Sequence, residues 1–176
     1  MKNYQRYNSI IGWIVWLIAT TVYIACAERT VSWWDCGEYI STASKLMVGH
    51  PPGAPTFQIL GAIANIFTFG HAEYTAFAIN IMSALCSSFT ILFLFWTITM
   101  IAKKMMEKRY PDGLGRFHQG VIYACGIIGA LAYTFSDSFW FSSAEGEVYA
   151  MSSFFTAITF WAILRWEAVA DQPGNL

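Results

Sequence analysis

Long apolar segments alternate with short polar connections along this chain. Four of these segments are nearly free of charge and about 16 to 28 residues long, close to the roughly 20 residues that cross a bilayer as a helix. We predict membrane-spanning helices at residues 10–27, 75–102, 120–135 and 148–166. Two longer connections, 28–74 and 136–147, lie on one side of the membrane in this arrangement. The whole chain, residues 1–176, is therefore predicted to be a single transmembrane module.

A shorter apolar stretch, Thr56–Phe69, lies within the first long connection. At about 14 residues it suits an interfacial or re-entrant helix better than a complete span. It follows a turn predicted from Pro51, Pro52 and Pro55, and a short helix is predicted over Cys36–Val48. The predicted fold class is an all-α integral membrane protein with about four transmembrane helices and a short interfacial or re-entrant helix.

Composition supports this class. Hydrophobic residues make up 56% of the chain and charged residues 12%, whereas soluble proteins are about one quarter charged. The basic residues form no broad patch, so a nucleic-acid partner is not expected.

A cleaved signal peptide is the alternative for the N-terminal segment, but its length and two Trp residues favour an uncleaved helix. The four cysteines lack metal-ligand spacing, and Cys26 and Cys36 are the pair that could form a disulfide.

The positions of Lys and Arg set the predicted orientation. With a cytoplasmic N-terminus and four spans, the cytoplasmic segments hold all but two of the 10 Lys and Arg residues, and only Arg29 and Lys45 lie outside. This distribution follows the positive-inside rule. Acids contribute little to orientation, so their concentration on the outer side indicates a use for carboxylates there. The outer acids are Glu28, Asp35, Glu38, Glu73, Asp137, Glu145 and Glu147.

The first outer loop carries the segment SWWDCGEYI, in which Asp35 and Glu38 are three residues apart. On a helix this spacing places both acids on one face, within reach of a shared cation or a substrate hydroxyl. The same spacing fits a capping box, with Asp35 as the N-cap and Glu38 reaching back to it. Spacing alone leaves both interpretations open. Further along, His50 in the turn GHPPGAP is either a surface residue or a phosphate contact or proton shuttle.

The second outer loop carries Glu145 and Glu147 on either side of a glycine. These acids either meet the positive end of the helix that follows or face the acids of the first loop. Four neighbouring carboxylates would repel one another unless a cation lay between them. The candidate ligands of a divalent metal cofactor are therefore Asp35, Glu38, Glu145 and Glu147.

The other candidate binding residues are cations and aromatic residues of the first loop. Arg29 and Lys45 either hold an anionic lipid phosphate or extend toward the lipid headgroups. Trp33, Trp34 and Tyr39 lie beside the acids, but such residues also mark membrane interfaces.

Three segments, WWDCGEYI, GHPPGAP and SSAEGEVYA, together resemble a bacterial membrane-protein family related to protein O-mannosyltransferases. An animal member of that family is implicated in O-mannosylating receptor ectodomains. The order of a first span, an acidic outer loop, a proline-rich turn and a second acidic outer loop is similar to the GT-C superfamily of membrane glycosyltransferases. The resemblance covers nearly the whole chain and implies a GT-C-like N-terminal module of a usually longer protein.

This resemblance implies an enzyme that moves a mannose-like sugar from a polyprenyl-phosphate carrier to a protein Ser/Thr at the outer membrane face. A lipid or glycan acceptor is also open. Asp35 matches the catalytic base of the first outer loop, Glu38 a supporting catalytic acid, and Glu145 or Glu147 an acid that positions the acceptor or a metal. The implied location is the bacterial inner membrane, with periplasmic acidic loops. The implied substrate-binding residues are Trp33, Trp34, Tyr39, His50, Arg29, Lys45, Glu145 and Glu147.

Two other functional classes compete with the glycosyltransferase interpretation. A transporter would use the outer acids to attract cations, but the predicted spans carry almost no ionisable residues, which transport pathways usually need. A non-catalytic assembly subunit would use the outer loops to bind a partner. The chain has neither a phosphate-binding loop nor a dinucleotide fingerprint, so a soluble nucleotide substrate is not indicated.

Overall fold

The computed structural model describes residues 3–51 and 53–170, and its regular structure is helical throughout that part. A 3₁₀ turn at Ala72–Tyr74 precedes the longest helix. Pro52 of the predicted turn lies outside the described residues, as do residues 1–2 and 171–176 of the predicted module. The α-helices of the described part are α1 Tyr4–Cys26, α2 Cys36–Lys45, α3 Pro55–Ile66, α4 Thr75–Arg109, α5 Arg116–Thr134, α6 Asp137–Ala144 and α7 Val148–Glu167.

Three of these helices, α1, α4 and α7, are long and apolar enough to cross a membrane. Helices α5 and α6 reach that standard only as a pair, bent by 64° at the break between them. At the bend, the backbone N–H and the hydroxyl of Ser136 both donate to the Tyr133 carbonyl, which has no i+4 partner within α5. The protein is thus an all-α membrane protein, and its described residues hold three helices of spanning length and composition, or four spans if the bent pair counts as one.

Helix α4 is the centre of the bundle. It packs against α1 on one side and against α5 and α7 on others, and it also contacts α2, α3 and α6. Ser83, Ser87 and Ser88 of α4 are fully buried, and such small residues let neighbouring helices approach closely inside a membrane. The largest buried apolar cluster surrounds α4 and comprises Val15, Ala19, Tyr23, Ala84, Ile91, Phe95, Ala130 and Phe139.

The structure adds two elements that the hydropathy pattern did not resolve. Helix α4 continues to Arg109, past the predicted end at residue 102, because Lys, Glu and Met propagate a helix as readily as apolar residues do. The predicted loop 136–147 contains α6.

The 12 residues of α3 give a helix about 18 Å long, too short to cross a core of about 30 Å. All four cysteines are free thiols.

The two ends of the bundle differ in charge. At one end, Tyr4 stacks on Tyr123 with ring centroids 5.3 Å apart, and Lys104 of α4 forms an ion pair with Glu167 of α7. We call this the basic end. The opposite end, the acidic end, carries a first acidic loop (residues 27–51) and a second acidic loop (residues 135–147). The side of the membrane that each end faces stays a prediction.

Gly126 allows α5 to approach α4 closely. A Cβ at this position would lie 2.6 Å from Thr99 Cγ2 and 2.7 Å from Phe95 Cε2. Neither α4 side chain can move far, because Phe95 and Thr99 are fully buried.

We expect Gly126→Ala to lower the free energy of unfolding by about 1–3 kcal/mol, because overpacking outweighs the gain of up to about 1 kcal/mol in helix propensity. Gly120→Ala is the matched control on the same helix, because a Cβ there meets open space. Thermal unfolding in detergent should show a lower midpoint for Gly126→Ala and an equal or higher midpoint for Gly120→Ala. Equal midpoints for both variants would contradict close α4–α5 packing at this site.

Candidate functional site

Helix α2 presents its acids to solvent because its apolar face is anchored. Cys36, Ile40 and Ala43 are buried and pack in one cluster with Phe57 of α3 and Ile79 of α4. Their spacing of three and four residues places them on a single helix face. The half-exposed Asp35 and Glu38 side chains lie beside this face, where they can contact other groups of the acidic end.

Glu38 is fixed by His50, which follows it by 12 residues. The His50 backbone N–H donates to Glu38 Oε1 at 2.7 Å, and the ring Nδ1 lies 2.9 Å from Oε2. These bonds, the backbone one foremost, lower the pKa of the Glu38 carboxyl. The same carboxylate, through the ring hydrogen bond above all, raises the pKa of the His50 imidazole. Each shift favours the charged form of its group, so the two residues stabilise each other as an ion pair whenever His50 is protonated.

Asp35 completes a cluster with this pair. His50 Nε2 lies 3.8 Å from Asp35 Oδ2, and one donor atom from each of Asp35, Glu38 and His50 falls within 4.8 Å of the others. The capping-box interpretation is wrong, because within the described residues the Asp35 side chain makes no capping hydrogen bond and the Glu38 carboxylate bonds to His50.

A cavity joins Asp35 to the second acidic loop. It has a volume of about 250 Å³. Glu145 and Glu147 are only 4% and 7% exposed, and in the described part of the chain neither carboxylate has a hydrogen-bond or ion-pair partner. Burial raises the pKa of Glu147, and the charges of Glu145 and Asp35 raise it further. The cavity is lined by Trp34, Asp35, Phe141, Ser142, Glu145, Glu147 and Tyr149.

The two acidic loops are held together by hydrogen bonds at their bases. The Glu28 backbone N–H donates to the Ala144 carbonyl at 2.9 Å. Asn80 of α4 is fully buried, and its Nδ2 donates to the carbonyls of Glu28 and Thr30 at 2.7 and 3.1 Å. On the other side of the amide, a Cβ on Gly146 would lie 2.9 Å from Asn80 Oδ1. The amide therefore fixes one loop and packs directly against the other.

The predicted binding residues divide into two groups. Tyr39 belongs to the site: its ring meets Phe57 at 5.4 Å and His50 at 6.0 Å. Arg29 lies outside the cavity lining, with its guanidinium over the Phe77 ring at 5.7 Å.

The remaining predicted residues are exposed. Trp33 and Trp34 are 83% and 88% exposed, and Trp34 has a left-handed backbone with φ of 61°, which is strained for an aromatic residue. Only Trp34 of the two lines the cavity. Lys45 is exposed and has no ion-pair partner among the described residues.

Sequence reasoning missed Asn80 and three cavity residues, Phe141, Ser142 and Tyr149. A signal for Asn80 was present in the sequence, since it is the one Asn or Gln in the predicted span 75–102. Strongly polar residues within membrane spans often mark functional sites. Tyr149 lies in the segment SSAEGEVYA, but nothing in the sequence shows that its side chain faces Asp35.

The helices and the two loops define a multi-pass membrane module with a carboxylate-lined site at one end. The family described as protein O-mannosyl-transferase TMEM260 N-terminal domain matches residues 35–175. The chain belongs to this family.

Two curated relatives share similar sequence with this chain. It is 27% identical over 145 residues to protein O-mannosyl-transferase tmem260 of Dictyostelium discoideum, covering 82% of this chain and 16% of that protein. It is 26% identical over 154 residues to protein O-mannosyl-transferase TMEM260 of Mus musculus, covering 87% of this chain and 19% of that protein. The chain thus spans less than a fifth of the length of these relatives. No solved structure matches it.

We expect Asn80→Ala to lower the free energy of unfolding by about 1–3 kcal/mol, because it leaves two loop carbonyls without their donor. Ser87→Ala is the matched control on α4, since the buried Ser87 hydroxyl has no partner in the described region. Thermal unfolding in detergent checks this. A midpoint that falls equally in both variants would contradict the role of the Asn80 amide.

The His50–Glu38 pair gives a pH prediction. The charged ring contributes to stability below the ordinary His pKa, and this contribution is lost as pH rises through the raised pKa of His50. At the acid side, the contribution of Glu38 is lost as pH falls through its lowered pKa. NMR titration of labelled His should therefore show His50 with a pKa above its ordinary value, and Glu38→Gln should lower it.

Glu73→Gln is the control for this titration, because it removes the carboxylate beside His71 and leaves the Glu38–His50 pair intact. It should not change the titration of His50. A His50 pKa at its ordinary value in the unmodified protein, or one unaffected by Glu38→Gln, would contradict the pairing.

Proposed function

We propose that this chain is the N-terminal catalytic module of a GT-C-type membrane glycosyltransferase. The proposed reaction moves a mannose-like sugar from a polyprenyl phosphate to a Ser or Thr of a protein. Membership of the family and the names of both relatives support this reaction class. The single observation that carries it is the position of Asp35, which belongs both to the cluster with Glu38 and His50 and to the cavity of the second acidic loop.

Asp35 is the proposed base. Its side chain is 56% exposed, so an acceptor can reach it. The hydroxyl proton passes to the Asp35 carboxylate as the hydroxyl oxygen forms a bond to the anomeric carbon of the sugar. The bond from that carbon to the phosphate oxygen breaks, and the polyprenyl phosphate departs with the electron pair. A positioned carboxylate of this kind contributes about 10²–10⁴-fold to such a reaction.

Glu38 supports the base instead of reacting itself. Both of its oxygens accept hydrogen bonds from His50, so Glu38 is already engaged. Through His50 it fixes the position of an imidazole beside Asp35. Tyr39, which contacts His50, limits the motion of the ring.

The cavity is the proposed sugar pocket. Trp34 and Tyr149 provide aromatic surface for the faces of the ring, and carboxylates accept hydrogen bonds from hydroxyl groups. Glu145 and Glu147 line the same space, and we assign them the positioning of the acceptor.

The lipid part of the donor fits an apolar groove along α4. This groove has a volume of about 620 Å³, and its lining includes Leu60, Phe67, Phe77, Ile81, Leu85 and Phe154. Arg29 lies over the ring of Phe77, a lining residue, so a cation lies beside the groove. An amphiphile with an anionic head and a hydrocarbon chain matches this combination. Lys45 is the second proposed phosphate contact and Trp33 a membrane-interface residue near the donor.

In this proposal the acidic end faces the periplasm across a bacterial inner membrane, and the N-terminus lies in the cytoplasm. The distribution of basic residues supports this orientation, because the basic end holds most of the Lys and Arg residues.

We expect Asp35→Asn to reduce sugar transfer by about 10²-fold or more, because the amide cannot take the proton. The measurement is transfer of labelled mannose from polyprenyl-phosphate mannose by membranes that carry the intact protein. Asp137→Asn is the matched control, an exposed aspartate of the second acidic loop that does not line the cavity.

The control should keep wild-type transfer. Equal transfer by wild type and Asp35→Asn would remove Asp35 as the base. No transfer by the wild type, with normal membrane insertion, would favour a transporter or an assembly subunit instead.

A further inference from the structure

The gap between Asp35 and His50 has the dimensions of a metal site. Nε2 of His50 and Oδ2 of Asp35 are 3.8 Å apart, which is too long for a hydrogen bond. Two ligand atoms that each lie about 2.1 Å from one ion are about 3–4 Å from each other. The two atoms are therefore spaced for a shared ion better than for direct contact.

Glu38 holds His50 in the orientation that a metal ligand needs. It accepts the ring Nδ1–H at 2.9 Å, which leaves Nε2 of His50 as the ring atom that faces Asp35. A histidine that binds a metal through one nitrogen usually donates the other N–H to a carboxylate or carbonyl. The backbone N–H of His50, bonded to the same carboxylate at 2.7 Å, fixes the residue further.

A second, independent observation indicates that this site favours a positive charge. Glu145 and Glu147 are each more than nine-tenths buried, line the same cavity as Asp35, and have no partner in the described part of the chain. Buried charges in proteins are normally paired or bound to a metal. His50, the basic group beside Asp35, already pairs with Glu38.

We propose that Asp35 and His50 bind a divalent cation directly. Glu38 positions His50, and Glu145 and Glu147 supply further negative charge from the cavity. A mixed set of imidazole and carboxylate donors suits ions such as Mn²⁺ or Zn²⁺ more than an all-oxygen site does. Water completes the coordination.

This site deepens the proposed function, because its role in transfer rests on that function while cation binding itself does not. A cation here places positive charge where the departing phosphate gains negative charge. One Asp35 oxygen binds the ion, and the other remains for the acceptor hydroxyl.

The test is a titration of the intact protein in detergent with Mn²⁺ alone, followed by NMR of labelled His side chains. The chain has three His residues, and paramagnetic Mn²⁺ should broaden the His50 signals at concentrations that leave His71 and His118 sharp. Asp35→Asn and Glu38→Gln should each raise the Mn²⁺ concentration needed by about 10-fold or more.

The pair of His71 and Glu73 is the matched control within the same protein. It has the same residue types at 3.2 Å, and the third residue is absent among the described groups around it. Glu73→Gln should leave the broadening of His50 unchanged. Broadening of His50 and His71 at the same Mn²⁺ concentration would overturn the proposal, as would an unchanged response in both Asp35→Asn and Glu38→Gln.

The outcomes for cation binding and for sugar transfer are separate. Selective broadening of His50 together with full transfer by Asp35→Asn would remove the proposed catalytic role and leave the cation site. Loss of transfer in Asp35→Asn without selective broadening of His50 would remove the cation site and leave the proposed catalytic role of Asp35.

Discussion

The Asn80 side chain joins the membrane-spanning core to both loops of the acidic end. Its amide donates to the carbonyls of Glu28 and Thr30, and its oxygen packs against Gly146. Because Asn80 is fully buried on α4, its Nδ2 cannot turn to water, and satisfying this donor requires the loop backbone to stay in place. The positions of Asp35, seven residues after Glu28, and of Glu145 and Glu147 beside Gly146 follow from this attachment.

The charge distribution at the acidic end indicates a functional site. A folded protein usually pairs its buried carboxylates, yet Glu145 and Glu147 are buried without a partner in the described residues, and Glu147 has a raised pKa because burial and like charges oppose its ionisation. By contrast, the exposed Glu38 is paired with His50, and its pKa is lowered. Ionisation of Glu147 is therefore unfavourable unless a substrate or cation offsets it, and such perturbed groups are common at functional sites.

The sequence predicted the helical membrane architecture because apolar segments of spanning length are a strong local signal. It also named Asp35, Glu38, Glu145 and Glu147 as candidates, since acids between spans have no packing role. It could not decide between a capping box and a reactive pair, because the partner of Glu38 is His50, 12 residues away, and no local pattern reports that contact. Asn80 and Tyr149 act through contacts between distant segments, which no local pattern reports.

The central claim is that the sugar is transferred in the cavity where the two acidic loops meet. The most direct measurement is an electron-microscopy structure of the intact protein in a lipid nanodisc with bound polyprenyl-phosphate mannose. The account predicts sugar density between Trp34 and Tyr149, with the anomeric carbon beside the Asp35 carboxylate and the lipid chain along α4. Sugar density at another place in the protein, with this cavity occupied by protein side chains or lipid, would contradict it.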